Sequence, residues 1–228
     1  MNQGSTSIGQ HLKTPRAAGI AGIVFCVLSI IGHLLIRSAI PPYGQGSAIE
    51  VVKHSQTISG SLNLVPFAGI AFLWFVAVLR DHLGEFEDRF FATVFLGSGL
   101  LYVAMFFASA ALAGGLLGVL SGGTEDLVHT GTYAVSRAAI NQMLNIYGIK
   151  MAGVFMISFS TISLRTRIIP RWTAILGWAL ALLLLLSIGT IAWAPMVFPL
   201  WVFLISIRIL IEKFRGQSSA DQNPTIVP

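Results

Sequence analysis

The chain has 228 residues, of which 55% are hydrophobic and 10% are charged. A soluble domain carries about 25% charged residues, so this composition excludes an ordinary soluble fold. The net charge of +5 is spread over many positions and forms no basic stripe. That distribution argues against a nucleic-acid partner and indicates contact with anionic membrane lipids.

Six long apolar runs follow one another along the chain. Each reaches or approaches the roughly 20 residues that a helix needs to cross a bilayer. A backbone in lipid must satisfy its own hydrogen bonds, so these segments must be helical. The runs are Arg16–Ser38, Ile58–Leu79, Phe90–Leu120, Ala138–Leu164, Trp172–Trp193 and Met196–Ile211. They predict an all-α polytopic membrane protein, a six-helix transmembrane bundle at 16–215, with flexible cytoplasmic ends at 1–15 and 216–228.

The lysines and arginines predict the orientation of this bundle. Ten of them fall on the side that holds both termini, and three fall on the opposite side: Arg37, Lys53 and Arg137. Short loops rich in basic residues stay in the cytoplasm. We therefore expect both termini to be cytoplasmic and the protein to lie in a bacterial inner membrane.

Prolines and small residues predict how the runs bend and pack. Pro66 lies inside the second run, where it would leave a carbonyl near Leu62 without its helical partner. Ala194–Pro195 predicts a tight outer hairpin between the fifth and sixth runs. In the third run, small residues recur every four positions and permit close helix approach: Ala110, Gly114, Gly118 and Gly122. They favour packing between helices of the same chain. A homo-oligomer that packs through these residues is the alternative.

Lys150 places a charge inside the fourth run. If Arg165 marks the cytoplasmic boundary, Lys150 lies about 7–8 Å below the outer surface. An ammonium at that depth is costly unless it snorkels, pairs or faces water. Its four-carbon stem just reaches the interface. Two interpretations stay open: a snorkelling lysine, and a cation that lines an outward-facing cavity.

Amide, phenol and imidazole side chains lie at a similar depth in three of the runs. A lipid-facing helix has no reason to carry so many of them. If they converge, they form a polar pocket in the outer third of the bundle. Its predicted ligand-binding residues are Lys150, Tyr147, Asn145, Asn141, His33 and Asn63. The alternative is that these side chains hydrogen-bond between helices.

The sequence shows no pattern typical of catalysis or metal binding. No aspartate or glutamate lies deep in a run, and the five histidines are scattered. We therefore predict no catalytic residue, no metal and no cofactor, and the pattern favours a protein that is not an enzyme.

Several short motifs carry a resemblance to known proteins. They are Pro15–Arg16–Ala17–Ala18–Gly19, Ile169–Pro170–Arg171–Trp172, Leu176–Gly177–Trp178 and Phe198–Pro199–Leu200–Trp201. With these the chain resembles small six-span bacterial membrane proteins grouped as a domain of unknown function. That family supplies no functional residues to carry over.

Two hypotheses about function follow. The first is a protein that binds a small anionic or amphipathic molecule or lipid, with its charged head paired to Lys150; whether it also transports that molecule is left open. The second is a non-catalytic subunit or sensor that works through helix–helix contacts, in which Lys150 only snorkels. Glu125 and Asp126 would weaken the first hypothesis if they folded over Lys150.

Overall fold

The computed structural model describes residues 15–39, 58–60, 62–83, 89–121, 131–166, 170–187 and 193–221. These residues form helices and turns, with no strand among them. In chain order the elements are α1 (Pro15–Ala39), α2 (Val65–Leu83), α3 (Arg89–Ser121), α4 (Gly131–Gln142), a π-helical segment (Met143–Gly148), α5 (Ile149–Thr166), α6 (Arg171–Leu186) and α7 (Ala194–Asp221). The predicted all-α class is confirmed.

Five apolar helical stretches are long enough to cross a membrane, and α6, with 16 residues, is a shorter sixth. The stretch Gly131–Thr166 counts as one of the five, since α4, the π segment and α5 run on continuously. By length and composition, the described helices are therefore compatible with a membrane bundle.

Neighbouring helices in the bundle are antiparallel. Phe25 of α1 packs on Phe72 of α2 with ring centroids 4.7 Å apart, while Gly32, further along α1, lies against Val65, earlier in α2. The same reversal relates α1 to α7, α3 to α5 and α5 to α6. Helices α1, α3 and α6 therefore finish at one end of the bundle, which we call the distal end. It is the end that the sequence predicts to face outward.

Aromatic rings fill the middle of the bundle. Tyr102 and Phe198 have centroids 4.6 Å apart, and Phe72 and Phe155 are 5.3 Å apart. Rings from five helices take part in this layer, which comprises Phe25, Phe72, Tyr102, Phe155 and Phe198. Edge-to-face and tilted ring pairs supply the dispersion contacts that hold helices together in lipid, where the hydrophobic effect does not.

The helices reach unequal heights at the distal end. His33 of α1 stacks on Phe106 of α3, so the two residues lie at one level. Helix α1 ends at Ala39, whereas α3 continues to Ser121. That difference of nine residues places the end of α3 about 13 Å beyond the end of α1. Helix α6 is instead short. Its 16 residues span about 24 Å, which is less than the roughly 30 Å thickness of a hydrocarbon core.

One predicted helix boundary near the distal end is corrected, and the second run is interrupted. The fourth run was expected to begin at Ala138, but its helix begins at Gly131 and contains Arg137, which the prediction left outside the run. In the second run, residues 58–60 and 62 are helical, Asn63 and Leu64 form a turn, and α2 begins at Val65. Pro66 therefore occupies the first turn of α2, where a missing N–H leaves no bond unmade.

The fifth and sixth runs are corrected in the same way. The fifth run was expected to continue to Trp193, but α6 ends at Leu186, and Ser187 is extended. Ala194–Pro195 was expected to form the hairpin, but both residues belong to the first turn of α7. Helix α7 itself continues to Asp221, into the segment predicted as a flexible tail. Residues 1–14 and 222–228 of the predicted flexible ends lie outside the described residues.

Candidate functional site

Lys150 joins helix α5 to the end of helix α6. Its half-buried Nζ donates hydrogen bonds to three backbone carbonyls: those of Ser187 at 2.6 Å, of Leu184 at 3.4 Å and of Leu185. An ammonium has three N–H donors, which equals the number of carbonyl acceptors that Lys150 meets here. The ammonium is therefore held against the end of α6.

The early end of α6 explains why the lysine is held there. The last four carbonyls of a helix have no partner within the helix, and the aligned peptide dipoles give that end about half a negative charge. The Ser187 amide satisfies one carbonyl, that of Leu183, at 3.0 Å. The carbonyls of Leu184 and Leu185 are left without a helical partner, and a backbone carbonyl in lipid has no water to bond. Lys150 donates to both of them.

Close packing of α5 on α6 brings the lysine within reach. Gly153, one turn beyond Lys150, lies against α6: a Cβ on it would be 3.0 Å from the Leu185 side chain and 3.2 Å from the Ala181 carbonyl. A larger residue at 153 would push the helices apart and draw Lys150 away from the carbonyls.

The helix that carries Lys150 is also irregular at this level. The π segment ends at Gly148, two residues before Lys150. Gly148 is buried, and a Cβ there would lie 3.1 Å from the Met143 carbonyl. Single π-helical turns inside α-helices occur frequently at functional sites. Two neighbouring helices, one with a π turn and one that ends, are thus interrupted at the same place.

The predicted amide and phenol residues lie on other surfaces. The Asn145 side chain donates to the Asn141 side chain, four residues earlier on the same helix. Asn141 is exposed, and Tyr147 is 58% exposed. Asn141 and Tyr147, with Asn145 between them in the chain, form a polar ridge on the outside of the bundle.

His33 is buried against α3. Its Nδ1 donates to the Ser29 carbonyl at 2.8 Å, and its ring stacks on Phe106 with centroids 4.7 Å apart. The Ser29 hydroxyl in turn lies 3.4 Å from the Tyr102 hydroxyl. The ring of His33 thus packs α1 on α3, while its own hydrogen bond stays within α1.

Asn63 lies in the turn before α2, where its backbone N–H donates to the Gly60 carbonyl at 3.3 Å and its side chain is exposed. The six predicted residues therefore fall into separate places: the end of α6, an outer ridge, the α1–α3 interface and an exposed turn. No hydrogen bond or ring contact between described residues joins one place to another. Glu125 and Asp126 lie outside the described residues.

The sequence interpretation missed the acceptors of Lys150. They are backbone atoms, which no residue type reveals. One signal was present in the sequence, because Ser187, Gly189 and Thr190 interrupt the fifth run and indicate an early helix end. The free carbonyls of such an end need a hydrogen-bond donor, and a lysine on a neighbouring helix can provide one. Ser187 is also only 8% exposed, and within the part of the chain that the structure describes its Oγ has no hydrogen-bond partner.

The fold and this site define a class: a helical bundle of apolar, membrane-compatible helices with a lysine closing one helix end. No protein-family model, curated protein or solved structure matches the chain. The resemblance to six-span bacterial membrane proteins thus remains one of sequence pattern alone. Among the described residues, no group of His, Cys, Asp or Glu could hold a metal ion.

Proposed function

We propose that this protein is a non-enzymatic integral membrane protein that binds a small anionic or amphipathic molecule, or a lipid, at the Lys150 site. The observation that carries the proposal is the coincidence of three features at one level: the π turn, the end of α6 and a half-buried ammonium between them. In many transporters, interrupted helices place charged and backbone groups where a ligand is held.

The surroundings of the site favour a ligand that arrives from the membrane. Leu186, the last residue of α6, is 77% exposed, so the end of α6 borders the outside of the bundle. With both termini in the cytoplasm, this border would lie in the outer leaflet of a bacterial inner membrane. An amphipathic molecule can place its chain along α6 and its head group at Lys150.

Transport of the bound molecule through the bundle is a second part of this proposal. The layer of rings around Phe72, Tyr102 and Phe198 fills the bundle below the site. Passage through the axis would therefore require those rings to separate, whereas binding and release at the distal end would not.

Native mass spectrometry tests the proposal. The protein would be extracted gently from its own membrane and measured beside Lys150→Met, Lys150→Arg and a control at the other end of the bundle, Arg208→Met. We expect a discrete adduct on the wild type and the Arg208 variant, absent from Lys150→Met and retained in part by Lys150→Arg. Equal adducts on all four folded proteins would refute the proposal.

One observation favours the alternative, a subunit or sensor that acts through helix contacts. The distal parts of α3 and α4 leave apolar side chains exposed, Leu112 by 40% and Val135 by 69%. A partner helix, from another protein or from a second copy, would bury them. Loss of a co-purifying partner in Leu112→Asn and Val135→Asn, with the adduct unchanged, would support this alternative.

A further inference from the structure

The Lys150 site has a charge balance that restricts what it can bind. The ammonium carries one positive charge, and the end of α6 supplies about half a negative charge in return. An anion that paired with Lys150 would leave the site net negative and would sit beside carbonyls that repel it. Inside a membrane protein, where screening by water is weak, such repulsion is large.

A molecule that carries both charges avoids this conflict. Its ammonium can replace Lys150 at the carbonyls of α6, and its anionic group can then pair with the released Lys150. The net charge of the site is the same before and after binding. We therefore propose that the ligand of this site is a zwitterion that combines a primary ammonium with a phosphate or carboxylate. This inference rests on the proposed function and names its ligand class.

The carbonyls that hold Lys150 suit a primary ammonium. The three acceptors, on Leu184, Leu185 and Ser187, accept N–H donors from one nitrogen. A primary ammonium offers the same three donors, whereas a quaternary ammonium has the charge and no N–H. Hydrogen bonding therefore separates an ethanolamine head group from a choline head group at this site.

Ser187 adds a donor for the anionic group. Its side chain is more than nine-tenths buried, its Oγ has no hydrogen-bond partner among the described residues, and its own carbonyl accepts from Lys150. A buried hydroxyl without a partner is destabilising, so a ligand oxygen that accepts from it removes that penalty. Lys150 reaches the same oxygen once it leaves the carbonyls, because four methylene groups let its Nζ move by several ångströms.

Two sources can supply this chemistry: the head group of an aminophospholipid, and a free zwitterion such as an amino acid. Native mass spectrometry of the delipidated protein in a maltoside detergent separates them. The probes are dioctanoyl phosphatidylethanolamine, phosphatidylcholine and phosphatidylglycerol, with free phosphoethanolamine and glycine as solutes without chains.

We expect phosphatidylethanolamine to bind at least about tenfold more tightly than the other two lipids, the equivalent of one charge-assisted hydrogen bond. Ser187→Ala should weaken phosphatidylethanolamine binding and leave the weak phosphatidylglycerol binding unchanged. Tight binding of phosphoethanolamine or glycine would also support the inference and would identify a free solute as the source.

Two other outcomes overturn the inference in distinguishable ways. If phosphatidylglycerol binds as tightly as phosphatidylethanolamine and both depend on Lys150, the proposed function stands and the zwitterion does not. If no probe binds in a way that depends on Lys150, both proposals fail. The ranking of the three lipids is measured on the wild type, so it does not require that Lys150→Met folds.

Discussion

The Lys150 Nζ and the Ser187 carbonyl oxygen lie 2.6 Å apart, although the two residues are 37 positions apart in the chain. This contact joins α5, just after its π turn, to the point where α6 stops. A charge that is costly in lipid and a helix end that is costly in lipid thus compensate each other.

Removal of the ammonium should destabilise the bundle. In Lys150→Met the carbonyls of α6 lose a charged donor, and hydrogen bonds to charged groups contribute about 1.5–3 kcal/mol each. We expect a clear drop in the thermal unfolding midpoint in detergent, with a smaller drop for Lys150→Arg, which keeps a charge and its donors. An unchanged midpoint in Lys150→Met would show that the contact contributes nothing to stability.

Gly177 marks a second close approach, between α6 and its two neighbours. A Cβ at this position would overlap the Ser160 hydroxyl and lie 3.0 Å from the Trp201 indole nitrogen. Gly177→Ala should therefore destabilise the protein, although alanine is the better helix former. Thermal unfolding measures the loss.

Ser160→Ala is the matched control for this contact. Ser160 Oγ is buried and bonds to no other described residue, so its removal alone should cost little. It should also restore part of the stability that Gly177→Ala loses. If the two losses simply add in the double variant, the overlap with Ser160 is not the cause.

His33 should matter for stability and not for binding. His33→Leu removes the 2.8 Å bond to the Ser29 carbonyl and the stack on Phe106. A side-chain hydrogen bond within a helix and a ring pair between helices each contribute about 1 kcal/mol, so a modest drop in the unfolding midpoint is expected. The adduct in native mass spectrometry should persist; its loss would return His33 to the ligand site.

Cysteine labelling tests the predicted orientation. Cys26 is buried, so Cys26→Ala gives a background in which Ser121→Cys reports the distal end and Arg171→Cys the opposite end. A membrane-impermeant maleimide should label Ser121→Cys in intact cells, and Arg171→Cys only after permeabilisation. The reverse labelling pattern would show that the bundle has the opposite orientation in the membrane.

The sequence predicted the parts of this fold that depend on composition. Runs of about 20 apolar residues have one stable backbone in lipid, and the first and third runs match α1 and α3 to within one residue at each end. The early end of α6 was missed, because Ile188, Ile191 and Ala192 keep the fifth run apolar past Leu186 although Ser187, Gly189 and Thr190 interrupt it. The start of the fourth helix at Gly131 was missed because Ser136 and Arg137 are polar, and polar residues at the end of an apolar run indicate a loop.

The candidate site shows the same limit. Lys150 was identified because a charge at depth requires a partner, and that physical requirement is visible in the sequence. Its partners were not, since they are backbone carbonyls that become free only where a helix ends. Asn141, Asn145 and Tyr147 share a helix with Lys150, but exposure places Asn141 and Tyr147 on its outer surface. The position of a residue along a helix predicts its depth in the membrane, but it does not predict whether its side chain meets side chains from other helices.

The contact between Lys150 and the end of α6 can be measured directly by solid-state NMR in lipid bilayers. The chain has four lysines, so ¹⁵Nζ-lysine labelling with ¹³C-carbonyl serine gives few signals. We predict strong dipolar dephasing of one lysine signal, from a nitrogen–carbon distance within about 4 Å, and its disappearance in Lys150→Met. A wild-type spectrum in which no lysine signal dephases would contradict the account and return Lys150 to the membrane surface.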